Sequence, residues 1–310
     1  MTTSTDVGGQ QNLDMTASPP FELRLVARKG LGLFATQPIR RGACIIEEPS
    51  LVSLPRKPGT STLDGSPLLD KLESLDSDQH GTYFTLGHQP QFAKRSNVEA
   101  VKQRLISQGK KPSKRLDLAA KEEVEAHAIF KTNSVPMGKH NKHGGGVFPL
   151  LSRINHDCLP NTQYHYNATL ARMTVRAVCD IKPDEEITTA YFDCGFLPTE
   201  QRAEALRGTW GFDCCCGTCL HTNPGLLLQS EDRREAMFEL MGSLLVFDKG
   251  EQTSPLLAAK LPRDAANGAK RAEKLIKLTI EEGLCNLHLA NAYVFSACLF
   301  YRPRSADHLY

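Results

Sequence analysis

Cys214-Cys215-Cys216-Gly217-Thr218-Cys219 puts four thiols within six residues, and no other feature of this chain restricts its folding so tightly. Thiolates this close repel one another and oxidise readily unless something holds them. Choosing Cys214, Cys216 and Cys219 gives a C-x-C-x-x-C spacing, and Gly217 lets the backbone turn back so that the three sulfurs converge. Zinc takes four ligands in a tetrahedron at about 2.3 Å from sulfur, so three local thiolates leave one place open. Cys158 is the candidate for that place because it stands in the chain's other unusual segment, and His221 is the rival. Cys215 is the odd one out, its side chain expected to point away from the site of its neighbours. A zinc ion closed in by four protein ligands is structural, not catalytic. The competing account is a cluster of reduced thiols with no metal.

The other six of the ten cysteines are scattered at positions 44, 158, 179, 194, 285 and 298. Residues Met1 to Pro20 carry no basic residue and no apolar core, so they do not read as a signal or transit peptide but as a disordered leader. Clustered cysteines without a secretory signal favour metal ligation over disulfides, and point to an intracellular protein of the nucleus or cytoplasm. With 310 residues, 40% of them hydrophobic and 23% charged, the chain can bury a sizeable core. A net charge of +2 gives no basis for direct nucleic-acid binding and leaves a basic peptide partner open. No apolar run approaches the roughly 20 residues that a membrane span needs.

Period-two alternation predicts strands over Phe21 to Val26, Ala43 to Leu54, Thr162 to Tyr166, Leu170 to Val178 and Ile187 to Tyr191. Residues 55–113 shift to Pro, Gly, Ser, Asp and Lys, and read as an insertion or mobile surface region with one short helix around Val98 to Ile106. Within it, Lys110-Lys111-Pro112-Ser113-Lys114-Arg115 reads as a solvated loop face. Helical period returns at Leu116 to Phe130, with Ala119, Val124, Ala128 and Phe130 on or near one face, and again at Glu200 to Arg207. Asp232 to Val246, Arg263 to Glu282 and Asn286 to Tyr301 are amphipathic helix candidates. There is no regular strand–helix alternation and hence no nucleotide-binding parallel sheet.

Arg153-Ile154-Asn155-His156-Asp157-Cys158-Leu159-Pro160-Asn161 resembles the N-H-x-C-x-P-N signature of SET-domain methyltransferases. Three further segments resemble that family's motifs in the same order. Lys29 to Ala35 looks like its N-terminal glycine motif, Glu186 to Tyr191 like the strand ending in the catalytic tyrosine, and Phe212 to Cys219 like the post-SET zinc segment. The nearest likeness is to the SET-and-MYND type, in which an insert splits the domain and helices follow the post-SET segment. Residues 55–113 contain no cysteine, so the zinc-binding MYND finger is missing, and the helical tail is short for a full tetratricopeptide-like domain.

The resemblance implies an α+β, mainly β fold: several small sheets, a knot-like active-site segment, a post-SET zinc site and C-terminal helices. It divides the chain into the leader (1–20), a SET domain (21–194) carrying the insertion, a post-SET segment (195–221) and a helical region (222–310). It further implies S-adenosylmethionine as cofactor, structural Zn2+, and a protein or peptide lysine, histone or non-histone, as acceptor. Tyr191 would be the catalytic tyrosine. The cofactor would meet Lys29, Gly30, Leu31 and Gly32 at its methionine end, then Asn133, Ser152, Arg153, Asn155 and His156, with Tyr191 at the methyl group and Phe212 over the adenine. Phe192, Phe196 and Trp210 would wall the substrate channel, and Cys158, Cys214, Cys216 and Cys219 would hold the metal.

The chemistry asks for little else. Methyl transfer from a sulfonium needs a neutral amine in line with the methyl group. A free lysine, with a pKa of about 10.4, is mostly protonated at neutral pH. A narrow apolar channel disfavours the ammonium, and aromatic walls steer the cation inward. Two other readings compete: a catalytically inactive SET protein acting as an interaction scaffold, and a zinc-knuckle nucleic-acid binder. Intact Tyr191, Asn155, His156 and both glycines speak against the first, and the near-neutral charge against the second.

Overall fold

The computed structural model describes residues 19–301 apart from 61, 62, 66, 139, 140, 221, 250–261, 263 and 286. The expected leader up to residue 18 and the rival ligand His221 therefore lie outside the described residues. None of the described helices is long and apolar enough to cross a membrane.

The described strands form three small sheets. In the first, β1 (Phe21–Val26) and β2 (Gly30–Ala35) make an antiparallel hairpin, its turn passing through Arg28 in the left-handed region at φ 66°. The second contains β3 (Cys44–Pro49) beside the hairpin of β8 (Thr162–Asn167) and β9 (Arg172–Ala177). The Asn167 side chain shapes that hairpin's turn by accepting from the Thr169 and Leu170 amides. The third joins β4 (Val52–Leu54), β6 (Gly145–Val147) and β5 (Val135–Pro136). Returning to the first sheet, β10 (Glu186–Thr189) pairs antiparallel with β2 and parallel with β7 (Asn155–His156). That arrangement brings three sequence-distant segments side by side. Leu33 and Ala35, Ile45 and Ile46, Met173 and Val175, with Phe148, Ile154 and Ile187, fill the core between them.

The insertion is more ordered than its composition predicts. It holds α1 (Leu68–Glu73), α2 (Ser77–Phe84) and α3 (Arg95–Ser107), and leads into α4 (Lys114–Asn133). Asp76 and Gln79 start α2 with a reciprocal capping box. In α4 the buried stripe steps by four through Leu116, Ala120, Val124 and Ala128, so Ala120 and not the exposed Ala119 faces inward. Leu68, Leu72, Tyr83 and Leu86 pack with Val52, Leu54, Ile129 and Val147, which fastens the insertion to the third sheet.

After the sheets come α5 (Thr199–Trp210), α6 (Pro224–Lys249), α7 (Ala265–Glu281) and α8 (Leu287–Tyr301). Met237, Leu244, Ala269, Ala272, Leu275, Leu284 and Ala292 give the last three a core of their own.

Tyr83 tests whether the insertion folds as an integral part. Its ring is fully buried and its hydroxyl donates to the Ala126 carbonyl at 2.7 Å. Tyr83→Phe is expected to lower stability by about 1 kcal/mol in urea unfolding, because one buried hydrogen bond is lost without a cavity.

Candidate active site

Where β2 starts, β7 ends and β10 gives way to coil, the chain encloses a cavity of about 660 Å³. Lys29, Gly30, Leu31, Asn133, Ser152, Arg153, Asn155, His156, Tyr191, Trp210 and Phe212 all line it. Gly32, Phe192 and Phe196 do not. Gly32 lies behind the wall, where an added Cβ would come within 2.8 Å of Asn155 Nδ2 and 2.9 Å of Glu186 Oε1. Its contribution is close approach between strands, not contact with a ligand. Phe192 sits just outside, stacked on Trp210 with ring centroids 5.8 Å apart.

Phe196 departs from the expected channel altogether. The chain after Tyr191 turns away from the cavity, and Phe196 is buried in the helical core against Met237 and Leu284. Its ring lies 4.6 Å from that of His288. Sequence proximity to Tyr191 is a poor guide here, because an apolar helical core claims the ring.

The wall on the β2 side is a chain of polar contacts. Gly30 has φ +80°, a conformation costly for any residue with a Cβ. Lys29 Nζ meets Glu186 Oε2 at 2.9 Å, and Asn155 Nδ2 donates to Glu186 Oε1 at 2.8 Å. Burial is the largest single influence and works against the Lys29 ammonium, but the hydrogen bond to Glu186 together with the charges of Glu186, Cys215 and Asp157 outweighs it and holds the pKa above the ordinary lysine value.

His156 and Tyr191 are joined directly. The Tyr191 backbone N–H donates to His156 Nδ1 at 3.2 Å, so the ring's proton resides on Nε2, which faces Cys158 Sγ at 3.3 Å. Burial pushes the His156 pKa down to about 4, which keeps the imidazole neutral. The Tyr191 hydroxyl donates to the Ile154 carbonyl at 3.1 Å. Burial, then the Glu186 charge, push its pKa up to about 12. A phenol that stays protonated at neutral pH can orient a partner by hydrogen bonding but cannot serve as a ready base. Trp210 and Phe212 complete an aromatic wall, their rings 5.5 Å and 6.3 Å from that of Tyr191. Ser152 adds a buried hydroxyl on the cavity lining with no hydrogen-bond partner among the described residues.

Beside this cavity the sulfurs of Cys158, Cys214, Cys216 and Cys219 all lie within 4.8 Å of one another. A zinc tetrahedron with bonds of about 2.3 Å has sulfur–sulfur edges of about 3.8 Å. The separations of 3.9 Å from Cys158 to Cys214 and 3.6 Å from Cys158 to Cys219 fit that figure. Cys215 is outside the group and lines the cavity instead. Hydrogen bonding from Cys158 lowers the Cys216 pKa to about 5 and lowers Cys219 as well, while hydrogen bonds with the neighbouring cysteines push Cys158 up and Cys214 is also raised, so the cluster favours thiolate at two of its four sulfurs. Arg202, 1% exposed, brings Nη2 within 3.8 Å of Cys219 Sγ, while its buried Nε has no hydrogen-bond partner among the described residues. A buried cation beside clustered thiolates offsets their negative charge. His156, Cys158 and Cys194 also approach one another closely. His156 Nε2 carries a proton there, which makes it a donor to sulfur and not a ligand.

Four parts of the wall carry no sequence signal. Gly87, His88 and Gln89 come from the insertion, where no motif marks them, and Tyr164 comes from an ordinary strand.

Comparison with known proteins places this geometry. The family model described as SET domain matches residues 30–192, more than half of the 310 residues. Over 128 residues the chain is 38% identical to the histone-lysine N-methyltransferase set5 of Schizosaccharomyces pombe, covering 37% of this chain and 40% of that protein. Over 76 residues it is 45% identical to the N-lysine methyltransferase SMYD2 of Homo sapiens, covering 24% of this chain and 17% of that protein. The chain thus spans less than half the length of these two relatives. A solved structure of Rubisco LSMT bound to AdoMet is similar at 12% identity and a TM-score of 0.43, over 92% of this chain and 89% of that one. The chain belongs to the SET-domain family.

Proposed function

We propose that this chain transfers a methyl group from S-adenosylmethionine to the side-chain amine of a lysine in another protein, histone or non-histone. The observation that carries the reading is the convergence on one cavity of the glycine-bearing strand, the Asn155-His156 pair and the protonated Tyr191 hydroxyl. Membership of the SET family and relatives named as lysine methyltransferases support it.

When bound, S-adenosylmethionine supplies an electrophilic methyl group on a sulfonium. Lys29, Gly30 and Leu31 would offer backbone and ammonium contacts at its amino-acid end, Asn133 and Ser152 polar contacts alongside. Asn155 and His156 would hold ribose and adenine, His156 through its backbone because both ring nitrogens are engaged, and Phe212 would cover the adenine ring. Arg153 would close the rim. Tyr191 orients the acceptor amine through its hydroxyl, and with Trp210, backed by Phe192, disfavours the ammonium form by excluding water. The four cysteines would hold Zn2+ as a structural ion, pinning the segment two residues after His156 to the one two residues after Phe212. Clustered free thiols suit a reducing compartment, the nucleus or cytoplasm.

Labelled cofactor incubated with histones and cell extract tests the reading. Wild type is expected to label acceptors, and Tyr191→Phe to lose about 100-fold in kcat while binding S-adenosylhomocysteine within about threefold of wild type. No labelling by wild type with any acceptor overturns the proposal in favour of an inactive scaffold.

The pH profile follows from the ionisation states. Activity is expected to rise with pH as the acceptor lysine loses its proton, and to show no descending limb attributable to Tyr191 below about pH 10, since that phenol ionises only near 12. A fall in kcat/KM between pH 8 and 9, absent in Tyr191→Phe, would contradict this assignment.

Chelation supplies a third check. Removing the ion is expected to add four alkylatable cysteines to the count, measured by mass, and to abolish methyl transfer with no metal touching the substrate. A metal-free, folded sample with full activity would refute the coupling.

A further inference from the structure

Beyond residue 192, where the family match ends, the chain carries a buried polar cluster that no motif announces. Arg234 of α6 is completely buried. Its Nε donates to Glu282 Oε1 at 2.8 Å, at the end of α7. Its terminal nitrogens donate to three backbone carbonyls, Gly195 at 2.9 Å, Cys194 at 3.3 Å and Cys158 at 3.2 Å. Those carbonyls belong to the two segments that leave the cavity. Cys158 follows His156 by two residues and Cys194 follows Tyr191 by three.

We propose that Arg234 is a positioning residue for methyl transfer, fixing the loop after Tyr191 against the segment after His156. The inference rests on the reading of Tyr191 as catalytic. The alternative is that Arg234 merely docks the C-terminal helices through its ion pair. Glu282, however, is already held by Ser230 Oγ and by Arg233 Nε at 2.8 Å, so α7 is tied to α6 without Arg234. What Arg234 adds is the forked contact with the carbonyls. A fully buried guanidinium is costly to desolvate, and an apolar side chain would fill the space at lower cost. Its rigid fork suits fixing several acceptors at once, which a lysine ammonium does not reproduce. The Tyr191 N–H bond to His156 Nδ1 closes the loop from the cavity side, so both segments are clamped at both ends. Glu231 extends the same lock by accepting from the Thr199 amide at 2.8 Å, which anchors the start of α5, the helix that ends at Trp210.

The test uses the full zinc-loaded chain with Arg234→Met, Arg234→Lys and Glu282→Gln. Readouts are kcat and KM on a labelled acceptor, zinc per chain, and backbone hydrogen exchange over residues 192–197. Arg234→Met is expected to lower kcat by about 10- to 100-fold with KM within about threefold, since misplacing reacting groups by about 1 Å costs that much. Zinc should remain at the wild-type ratio, because Arg234 touches no cysteine sulfur. Exchange over 192–197 should accelerate while that of β1 and β2 does not. Arg234→Lys should also lose kcat, and Glu282→Gln, which leaves the carbonyl contacts intact, should stay within about threefold of wild type.

A purely structural role would lower the melting temperature of all three variants while the folded fraction kept wild-type kcat, which overturns the proposal. So does an equal loss of kcat in Glu282→Gln and Arg234→Met. Should Arg234→Met fail to fold, Arg234→Lys carries the comparison. If wild type labels no acceptor, the methyltransferase reading fails, and the exchange data alone decide whether Arg234 holds the loop: unchanged exchange over 192–197 refutes it.

Discussion

His156 makes two hydrogen bonds with opposite roles, and the arrangement of the cavity depends on them. Nδ1 accepts from the Tyr191 amide, and the proton this leaves on Nε2 is directed at Cys158 Sγ. A buried imidazole that is neutral offers one donor and one acceptor, so the two bonds exhaust its capacity and fix the ring. One ring therefore joins the end of β10 to the cysteine site, across segments that pair as parallel strands at Thr188–Asn155 and Thr189–His156. Lengthen either bond and Tyr191 loses its register with the cavity wall.

The charges around this ring have a consistent logic. Four clustered cysteines concentrate negative charge in a buried place, and a divalent ion leaves part of it uncompensated. Arg202 approaches Cys219 from one side, and Arg234 from the Cys158 side through its backbone carbonyl. Glu282, 7% exposed, then balances Arg234 with help from Arg233 and Ser230. Each buried charge has an opposite charge or a hydrogen bond in reach, the condition under which charged side chains are tolerated in an interior. The same requirement explains why the C-terminal helices sit where they do. Arg234 reaches the carbonyls of Cys158, Cys194 and Gly195, Glu231 accepts from the Thr199 amide, and Ser230 and Arg233 bind Glu282, and apolar contacts alone would not specify that register.

Much of this was legible from residue order, for physical reasons. The strands β8 and β9 follow from alternation because one face of each lies on a core, and the C-X-C-X-X-C spacing favours sulfur convergence. In β1 the strand forms, but of its alternating apolar residues only Phe21 packs on the core, while Leu23 and Leu25 are 50% and 82% exposed. Tetrahedral stoichiometry asks only for a fourth ligand, with Cys158 and His221 as candidates, and the geometry groups Cys158 with the other three sulfurs. The insertion was misread, because its low hydrophobicity hides helices whose few apolar residues, Leu68, Leu72 and Tyr83, are all spent on one shared core. Phe196 was misassigned because aromatic residues near Tyr191 look equivalent until a competing core is visible. Arg234 was invisible. A single arginine in an amphipathic helix carries no pattern that separates a solvated side chain from one buried among three carbonyls.

Residues 55–113 also help to build the cavity. Asn133 and Arg153 were expected to face the cofactor, and both line the cavity, yet each spends donors on the insertion. Asn133 Nδ2 donates to the Gly87 carbonyl at 2.8 Å, and Arg153 Nη2 to Thr85 Oγ1 at 2.8 Å and to the Thr85 carbonyl at 3.1 Å. The Gln89 amide donates to Thr132 Oγ1 at 3.0 Å. Gly87, His88 and Gln89 thereby become part of the cavity wall. Asn133 and Arg153 thus tie the cavity wall to the segment at 85–87. An insertion bound this way limits what can enter, with no zinc finger needed to shape it. The segment that carries no motif thus sets part of the cavity's outline.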